Sequence, residues 1–294
     1  MENLLSSYNT KVDKAVVKSE IEKIVKKSEE LYNVENLKKV FSYIDLTTLS
    51  TTDTQARGRM FADNVTNFKK HFPDMPNVAA ICVYPALVKT VRENLKVEGV
   101  NLASVVGGFP SSQTFIDVKT VETAFAFKEG ATEADMVISV GDLLEGNYAK
   151  VYDEVIQIKD ACGSGHLKVI LETGALENLT NIKIASILSM EAGCDFVKTS
   201  TGKMEPAATL EAIYVMAEAV KEFFEKTGKK IGLKPAGGIS DSKTALKYIS
   251  VIKHILGNEW LTPELFRIGA SSLANRVLTD INTLEGKNEV VDYF

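Results

Sequence analysis

Cysteine is scarce in this chain. Cys82, Cys162 and Cys194 are the only three in 294 residues. They are odd in number and widely spaced, which makes neither a disulfide framework nor a zinc motif, and a reducing cytoplasm is the compartment expected. Histidine is equally sparse. His71, His166 and His254 fall in helix ends or loops, and none sits at metal-ligand spacing from a cysteine or carboxylate. They read as surface residues, and neither a metal nor an organic cofactor is expected. No run of about eighteen apolar residues exists, so no membrane span is expected. The N-terminal stretch mixes acidic and basic residues and lacks the apolar segment of a signal peptide. Net charge is −5 with no long basic run, which argues against nucleic acid as a partner while leaving room for a small basic pocket. Also missing are a Gly-x-Gly-x-x-Gly turn, a Walker A sequence and a Pro/Ser-rich linker.

What is present is the composition of an ordinary globular protein: 45% hydrophobic and 25% charged residues. The first forty residues read as helix, with Val17, Ile21, Ile24, Ser28 and Leu31 on one face at spacings of three and four. That face suits either packing on the main body or a contact with a second copy. From residue 42 a unit repeats, in which a short apolar run ends in polar, Gly or Pro residues and a helical stretch follows. The runs lie at 42–46, 77–85, 101–110, 133–141, 167–173, 194–200, 230–238 and 265–271. Helical patterns between them include 114–130 and 207–228, and Gly130, Gly193 and Gly228 fall where a left-handed C-terminal cap favours glycine. The runs are continuously apolar, as parallel strands covered by helices should be. Eight such strands over about 250 residues predict an α/β fold of the (β/α)8 TIM-barrel type. A doubly wound open sheet competes, but lacks its glycine fingerprint. The expected organisation is a helical extension over 1–40 and a barrel with a short tail over 41–294.

A barrel places its chemistry at the C-terminal ends of its strands. There the sequence offers Asp45 near the end of the first run, Cys82 in the second, Asp135 in the fourth, Lys168 and Glu172 in the fifth, Lys198 in the sixth and Lys234 in the seventh. Lys198 closes "FVK" and Lys234 closes "GLK". On adjacent strands the two would share one mouth. Each then disfavours the other's protonation, burial pushes the same way, and one amine is left neutral to attack a carbonyl. The competing reading is a structural ion-pair network with Asp135, Asp45 or Glu172. Cys82 reads as a small core residue, and Asp45 also suits a strand-to-loop junction. Three loops suit an anion, "TSTGK" with Thr201, Gly202 and Lys203, "PAGGIS" with Gly237 and Gly238, and "GASSL" with Gly269, Ser271 and Ser272. Backbone N–H groups approach closely at glycines, and the serines can donate at a helix N-terminus.

The motifs "DLTTL", "ICVYP", "LKVILETGAL", "FVKTSTGK", "GLKPAGGI" and "GASSL", in order and spacing over about residues 41 to 278, resemble those of the deoxyribose-phosphate aldolases. That resemblance implies a cytoplasmic, metal-free class I aldolase on a TIM barrel, a lyase of deoxyribose phosphate catabolism and deoxynucleoside degradation. It would cleave 2-deoxy-D-ribose 5-phosphate to D-glyceraldehyde 3-phosphate and acetaldehyde. It further implies Lys198 as the Schiff-base lysine and Lys234 as the cation that lowers its pKa. Asp135 would carry protons through a water, Lys168 would orient Asp135, and Asp45 would meet sugar hydroxyls. Thr201, Gly202, Lys203, Gly237, Gly238, Gly269, Ser271 and Ser272 would bind the substrate, chiefly its phosphate. Partners are then small phosphosugars and aldehydes, with a homodimer left open. The chain departs from the family at its ends. The leader of forty residues is longer than in compact bacterial members. The family's terminal tyrosine is penultimate here, as Tyr293, before Phe294.

Three other readings compete: a different Schiff-base aldolase or a transaldolase, a noncatalytic phosphosugar-binding barrel, and a metal-dependent barrel enzyme. Substrate turnover, imine formation and tolerance of a chelator separate them in turn.

Overall fold

The computed structural model describes all residues, 1–294. Eight short parallel strands alternate with helices: β1 (Ile44–Thr47), β2 (Ala80–Val83), β3 (Asn101–Val106), β4 (Glu133–Val137), β5 (His166–Ile170), β6 (Phe196–Lys198), β7 (Gly232–Lys234) and β8 (Ile268–Ala270). Six lie within one of the eight apolar runs, while β1 and β5 each overlap theirs and reach one residue beyond it, to Thr47 and His166. Neighbours in sequence are neighbours in the sheet, and β1 pairs with β8. Leu233 and Phe266, then Ala236 and Gly269, bridge the remaining seam, so the sheet closes into a barrel. Closure leaves no free edge, and with helices covering the outer face the strands are mostly apolar on both faces.

Helices α1 (Glu2–Leu5), α2 (Lys14–Val25) and α3 (Val34–Ser42) precede β1. The rest of the helical layer is α4 (Gln55–His71), α5 (Val88–Asn94), α6 (Ile116–Lys128), α7 (Val140–Leu144), α8 (Tyr148–Ala161), α9 (Leu179–Glu191), α10 (Leu210–Thr227), α11 (Ser242–Leu256) and α12 (Leu273–Leu284). Their starts are chemically marked. Asn178, Thr209 and Asp241 cap α9, α10 and α11 by accepting a backbone N–H three residues on. Gly228 ends α10 with φ 70°, a conformation that glycine enters without a Cβ penalty. No helix is long and apolar enough to cross a membrane.

The leader differs from the single helical stretch expected. It is broken into α1, an extended segment, α2, a 3-10 turn at Ser28–Leu31, and α3. The break at Asp13 is the N-cap of α2, whose carboxylate accepts from the N–H groups of Ala15 and Val16. Val17, Ile21 and Ile24 are buried in the same apolar core as the barrel, so this face serves packing on the body rather than a second copy. The expected boundary at 40/41 also falls inside α3, whose Leu37, Val40 and Phe41 are fully buried.

Candidate active site

Barrel interiors are normally layers of branched apolar side chains. Here part of that interior is charged. Asp45, Glu133, Asp135, Lys168, Lys198, Lys234 and Arg267 are all buried, at 3% exposure or less. Desolvating seven ionised groups is tolerable only if each is paired and hydrogen-bonded. Each of them is. Lys168 Nζ lies 2.5 Å from Glu133 and 3.0 Å from Asp135. Lys234 Nζ lies 2.5 Å from Asp45 and 2.7 Å from Asp135. Arg267 donates to Asp45 at 2.8 Å and to Glu133 at 3.0 Å. Lys198 Nζ lies 2.7 Å from Asp135 Oδ2, the oxygen that also holds Lys234.

The strand register makes these contacts. Asp135 is level with Lys168 across β4–β5, and Lys198 is level with Lys234 across β6–β7. Gly269 is what lets Lys234 pass: a Cβ there would lie 3.1 Å from Lys234 Cε and 2.8 Å from Ala236 Cβ.

The network holds four cations (Lys168, Lys198, Lys234, Arg267) and three carboxylates (Asp45, Glu133, Asp135). Fully ionised it carries 4 − 3 = 1 excess positive charge, and removing one proton neutralises it. Lys198 is the group positioned to give that proton up. Burial lowers its pKa and Lys234 lowers it further, against the single carboxylate of Asp135. Burial acts on Lys234 too, but Asp135 and Asp45 together outweigh it, so Lys234 stays charged. Burial alone would raise the pKa of Asp135, yet Lys168, Lys198 and Lys234 hold it well below the usual carboxylate range. Cys82 lies beside this cluster, with Sγ 4.0 Å from Asp135 Oδ2. Burial, then Asp135, pushes its thiol up to about 11, so it is protonated at neutral pH and a poor nucleophile.

Above the network a cavity of about 520 Å³ opens at the C-terminal ends of the strands. Lys198 lines it. So do Thr201, Gly202, Lys203, Gly237, Gly238, Gly269, Ser271 and Ser272. Thus the three anion-suited loops and the β6 lysine share one space. Gly202 (φ 75°) and Gly237 (φ 86°) meet there, and a Cβ on Gly237 would lie 3.2 Å from Gly202 Cα. Behind them Glu172 accepts from Thr201 Oγ1 at 2.5 Å and from its N–H at 3.2 Å. Glu172 therefore braces a loop and takes no place in the lysine network, unlike one of the partners expected for it.

Asp45, Asp135, Lys168 and Lys234 form the buried layer below and do not line the cavity. For Asp45 this differs from a contact with sugar hydroxyls: its two oxygens are taken by Lys234 and Arg267. Arg267 and Glu133 were not singled out from the sequence, although both left a trace there. Arg267 is a charge inside the apolar run "LFRIGAS". Glu133 stands two residues before Asp135, on the same face of a strand. Arg57 and Phe294 also line the cavity. Arg57 is a cation in the first turn of α4, where the helix dipole disfavours it, and that mismatch was the available signal. Tyr293 donates its hydroxyl to the Asn64 carbonyl at 2.8 Å and packs on Phe68 and Phe72. It does not line the cavity, whereas Phe294 does.

A family model described as DeoC/LacD family aldolase matches residues 39–276. Human deoxyribose-phosphate aldolase is 45% identical over 256 residues, covering 82% of this chain and 79% of its own. The mouse deoxyribose-phosphate aldolase is 44% identical over 256 residues, with the same coverage of each chain. Among solved structures, an aldolase called QR15 superposes with a TM-score of 0.68 at 29% identity, over 84% of this chain and 98% of its own. The tetrameric deoxyribose phosphate aldolase from Aeropyrum pernix gives 0.67 at 26% identity, over 87% and 96%.

Proposed function

Because this chain belongs to the DeoC/LacD aldolase family, we propose that it reversibly cleaves 2-deoxy-D-ribose 5-phosphate to D-glyceraldehyde 3-phosphate and acetaldehyde through an imine on Lys198. The observation that carries the residue assignment is the shared oxygen: Lys198 and Lys234 both contact Asp135 Oδ2 at 2.7 Å, directly under a cavity walled by glycine, serine and lysine loops.

The chemistry follows from the charges. Neutral Lys198 attacks the C1 aldehyde, and loss of water from the carbinolamine gives an iminium. A base takes the C3 hydroxyl proton, the C2–C3 bond breaks, and its electron pair moves into the C1–C2 bond of an enamine while the iminium charge is discharged. Glyceraldehyde 3-phosphate leaves. C2 is then protonated, and water hydrolyses the new iminium to release acetaldehyde and regenerate the amine.

Asp135 is the proton carrier in this scheme, through a water. In the resting site its neighbouring cations make it a weak base. At the enamine stage the charge on the Lys198 nitrogen disappears, so the pKa of Asp135 rises when a proton must be delivered to C2. Lys168 and Lys234 stay ionised and hold both Asp135 oxygens in place. The phosphate is assigned to Gly202, Lys203, Gly238, Gly269, Ser271 and Ser272, whose loops line the same cavity as Lys198. Anchoring the far end of the substrate fixes C1 over the amine.

The test is borohydride reduction in the presence of acetaldehyde, followed by peptide mass spectrometry. An adduct on Lys198 is expected. An adduct on Lys234 would keep the aldolase chemistry and reverse the two lysines' roles. Folded protein with no adduct would favour phosphosugar binding without catalysis.

A further inference from the structure

Arg57 is a cation in an unfavourable place. Thr54 caps α4 by accepting from the Arg57 N–H at 3.2 Å, which fixes Arg57 in the first turn of the helix. There the helix dipole opposes a positive charge. No carboxylate compensates it. The ion-paired arginines of the chain are Arg267 and Arg276. Asp53, in the loop that leads into α4, is taken by the Thr48 hydroxyl and the Ser50 N–H, each at 2.9 Å. The Arg57 guanidinium instead lies 5.3 Å from the centroid of the Phe61 ring, one turn later on the same face. Phe61 is buried and lines the cavity beside Arg57. An aromatic side chain thus holds this charge at the cavity wall without neutralising it.

We propose that Arg57 is a specificity-determining residue that binds the phosphate of the substrate from α4, together with Lys203 and the glycine and serine loops. The proposal rests on the aldolase reading above and names a residue that reading leaves unused. Charge matching carries it. The cavity is lined by Lys198, Lys203 and Arg57 and by no aspartate or glutamate. Lys198 has to be neutral to react, so two permanent cations remain. A phosphate monoester carries about −1.5 to −2 at neutral pH. Lys203 alone would leave up to about one of those charges unmatched, and Arg57 is the other permanent cation on the wall. The chain as a whole has a net charge of −5 and repels such an anion, so the attraction has to come from cations at the cavity itself. A guanidinium also suits the task, because its fork of donors can hold two phosphate oxygens at once.

The bland alternative is a solvated arginine that only packs on Phe61. Two features of α4 separate the readings. Arg59 is exposed two residues on, on a different face of the helix, and does not line the cavity. It carries the same formal charge on the same helix and serves as the internal control. In addition, the dipole opposes Arg57, so removing its charge should leave the melting temperature unchanged or slightly raised. A side chain kept for packing would lower it when removed.

Calorimetric titration of the full chain with 2-deoxy-D-ribitol 5-phosphate tests it. This probe has the phosphate and no carbonyl, so its binding does not depend on imine formation. Arg57→Gln should weaken binding about five- to tenfold, the loss expected of a charge-assisted contact at an exposed site, and should flatten the dependence of Kd on salt. Arg57→Lys should recover the salt dependence and part of the affinity. Arg59→Gln should bind like the parent. With 2-deoxy-D-ribose 5-phosphate the loss in Arg57→Gln should appear in KM more than in kcat, and unphosphorylated deoxyribose should show none. Parent-like binding of the probe by Arg57→Gln, or an equal loss in Arg59→Gln, would overturn the proposal and leave the aldolase reading standing. Equal losses with deoxyribose and its 5-phosphate would also overturn it. A parent chain that gives no acetaldehyde–borohydride adduct on Lys198 would overturn the imine chemistry instead, while selective loss of probe binding in Arg57→Gln would still support the anion contact.

Discussion

Lys198 and Lys234 stand level with each other on adjacent strands and share one oxygen of Asp135 at equal distances of 2.7 Å. Their fates differ because Lys234 has a second carboxylate, Asp45 at 2.5 Å, and Lys198 has none. One carboxylate more or less decides which ammonium survives burial.

Removing Lys234 tests that asymmetry. The proposed imine chemistry needs Lys198 neutral, so activity is expected above the Lys198 pKa and is lost as pH falls through it. Burial and Lys234 hold that pKa below the ordinary lysine value. Lys234→Leu leaves Asp135 to Lys198 and Lys168, which raises the Lys198 pKa and moves the acid limb of kcat/KM to higher pH. Below that pKa, a rise of one unit costs about tenfold in rate. An unchanged limb would show that Lys234 does not set the amine's charge.

Arg267 should matter to stability more than to binding. It is the shared partner of Asp45 and Glu133 and does not line the cavity. Arg267→Leu strands buried negative charge, and the expected loss is about 3–5 kcal/mol in urea unfolding. A variant within 1 kcal/mol of the parent would mean that the lysines alone neutralise these carboxylates.

Lys203 provides a test of the phosphate end. Its ammonium donates to the Leu49 carbonyl, and both residues line the cavity. Lys203→Ala should raise KM for deoxyribose 5-phosphate roughly tenfold or more, as loss of a charge-assisted hydrogen bond requires. KM for unphosphorylated deoxyribose should hardly move. Equal losses with both sugars would place Lys203 in loop structure rather than in phosphate recognition.

The tail hangs on Asn275. Its Oδ1 accepts from the N–H groups of Tyr293 and Phe294, and its Nδ2 donates to Asp292 and to the Phe294 carbonyl. Asn275→Ala removes all four bonds. Limited proteolysis within residues 286–294 should accelerate about tenfold, the effect of a net 1–2 kcal/mol. An unaltered rate would assign the docking to the aromatic packing of Phe294 on Phe41 and Phe68.

The sequence by itself determined the number of strands, their parallel character and the loops that face one another. Those features are local. A continuous apolar run needs cover on both faces, and a glycine or serine loop after it carries its own anion chemistry. "FVK" and "GLK" each announced a cation at a strand end. What only the tertiary structure decided is which carboxylate each cation meets. Asp45 and Lys234 are separated by 189 residues, and Asp45 and Arg267 by 222, so their pairing exists only once the barrel closes. Lone charges inside apolar runs, such as Arg267, give no sign of which partner the register will set beside them. The leader shows the same limit. Its helical period was legible, but its breaks were decided by where Val17, Leu37 and Phe41 reach the barrel core. The outward face of α6 was likewise settled in three dimensions. A helix apolar on one side reads as amphipathic, and only the fold showed that the apolar side faces water while Lys119 faces in.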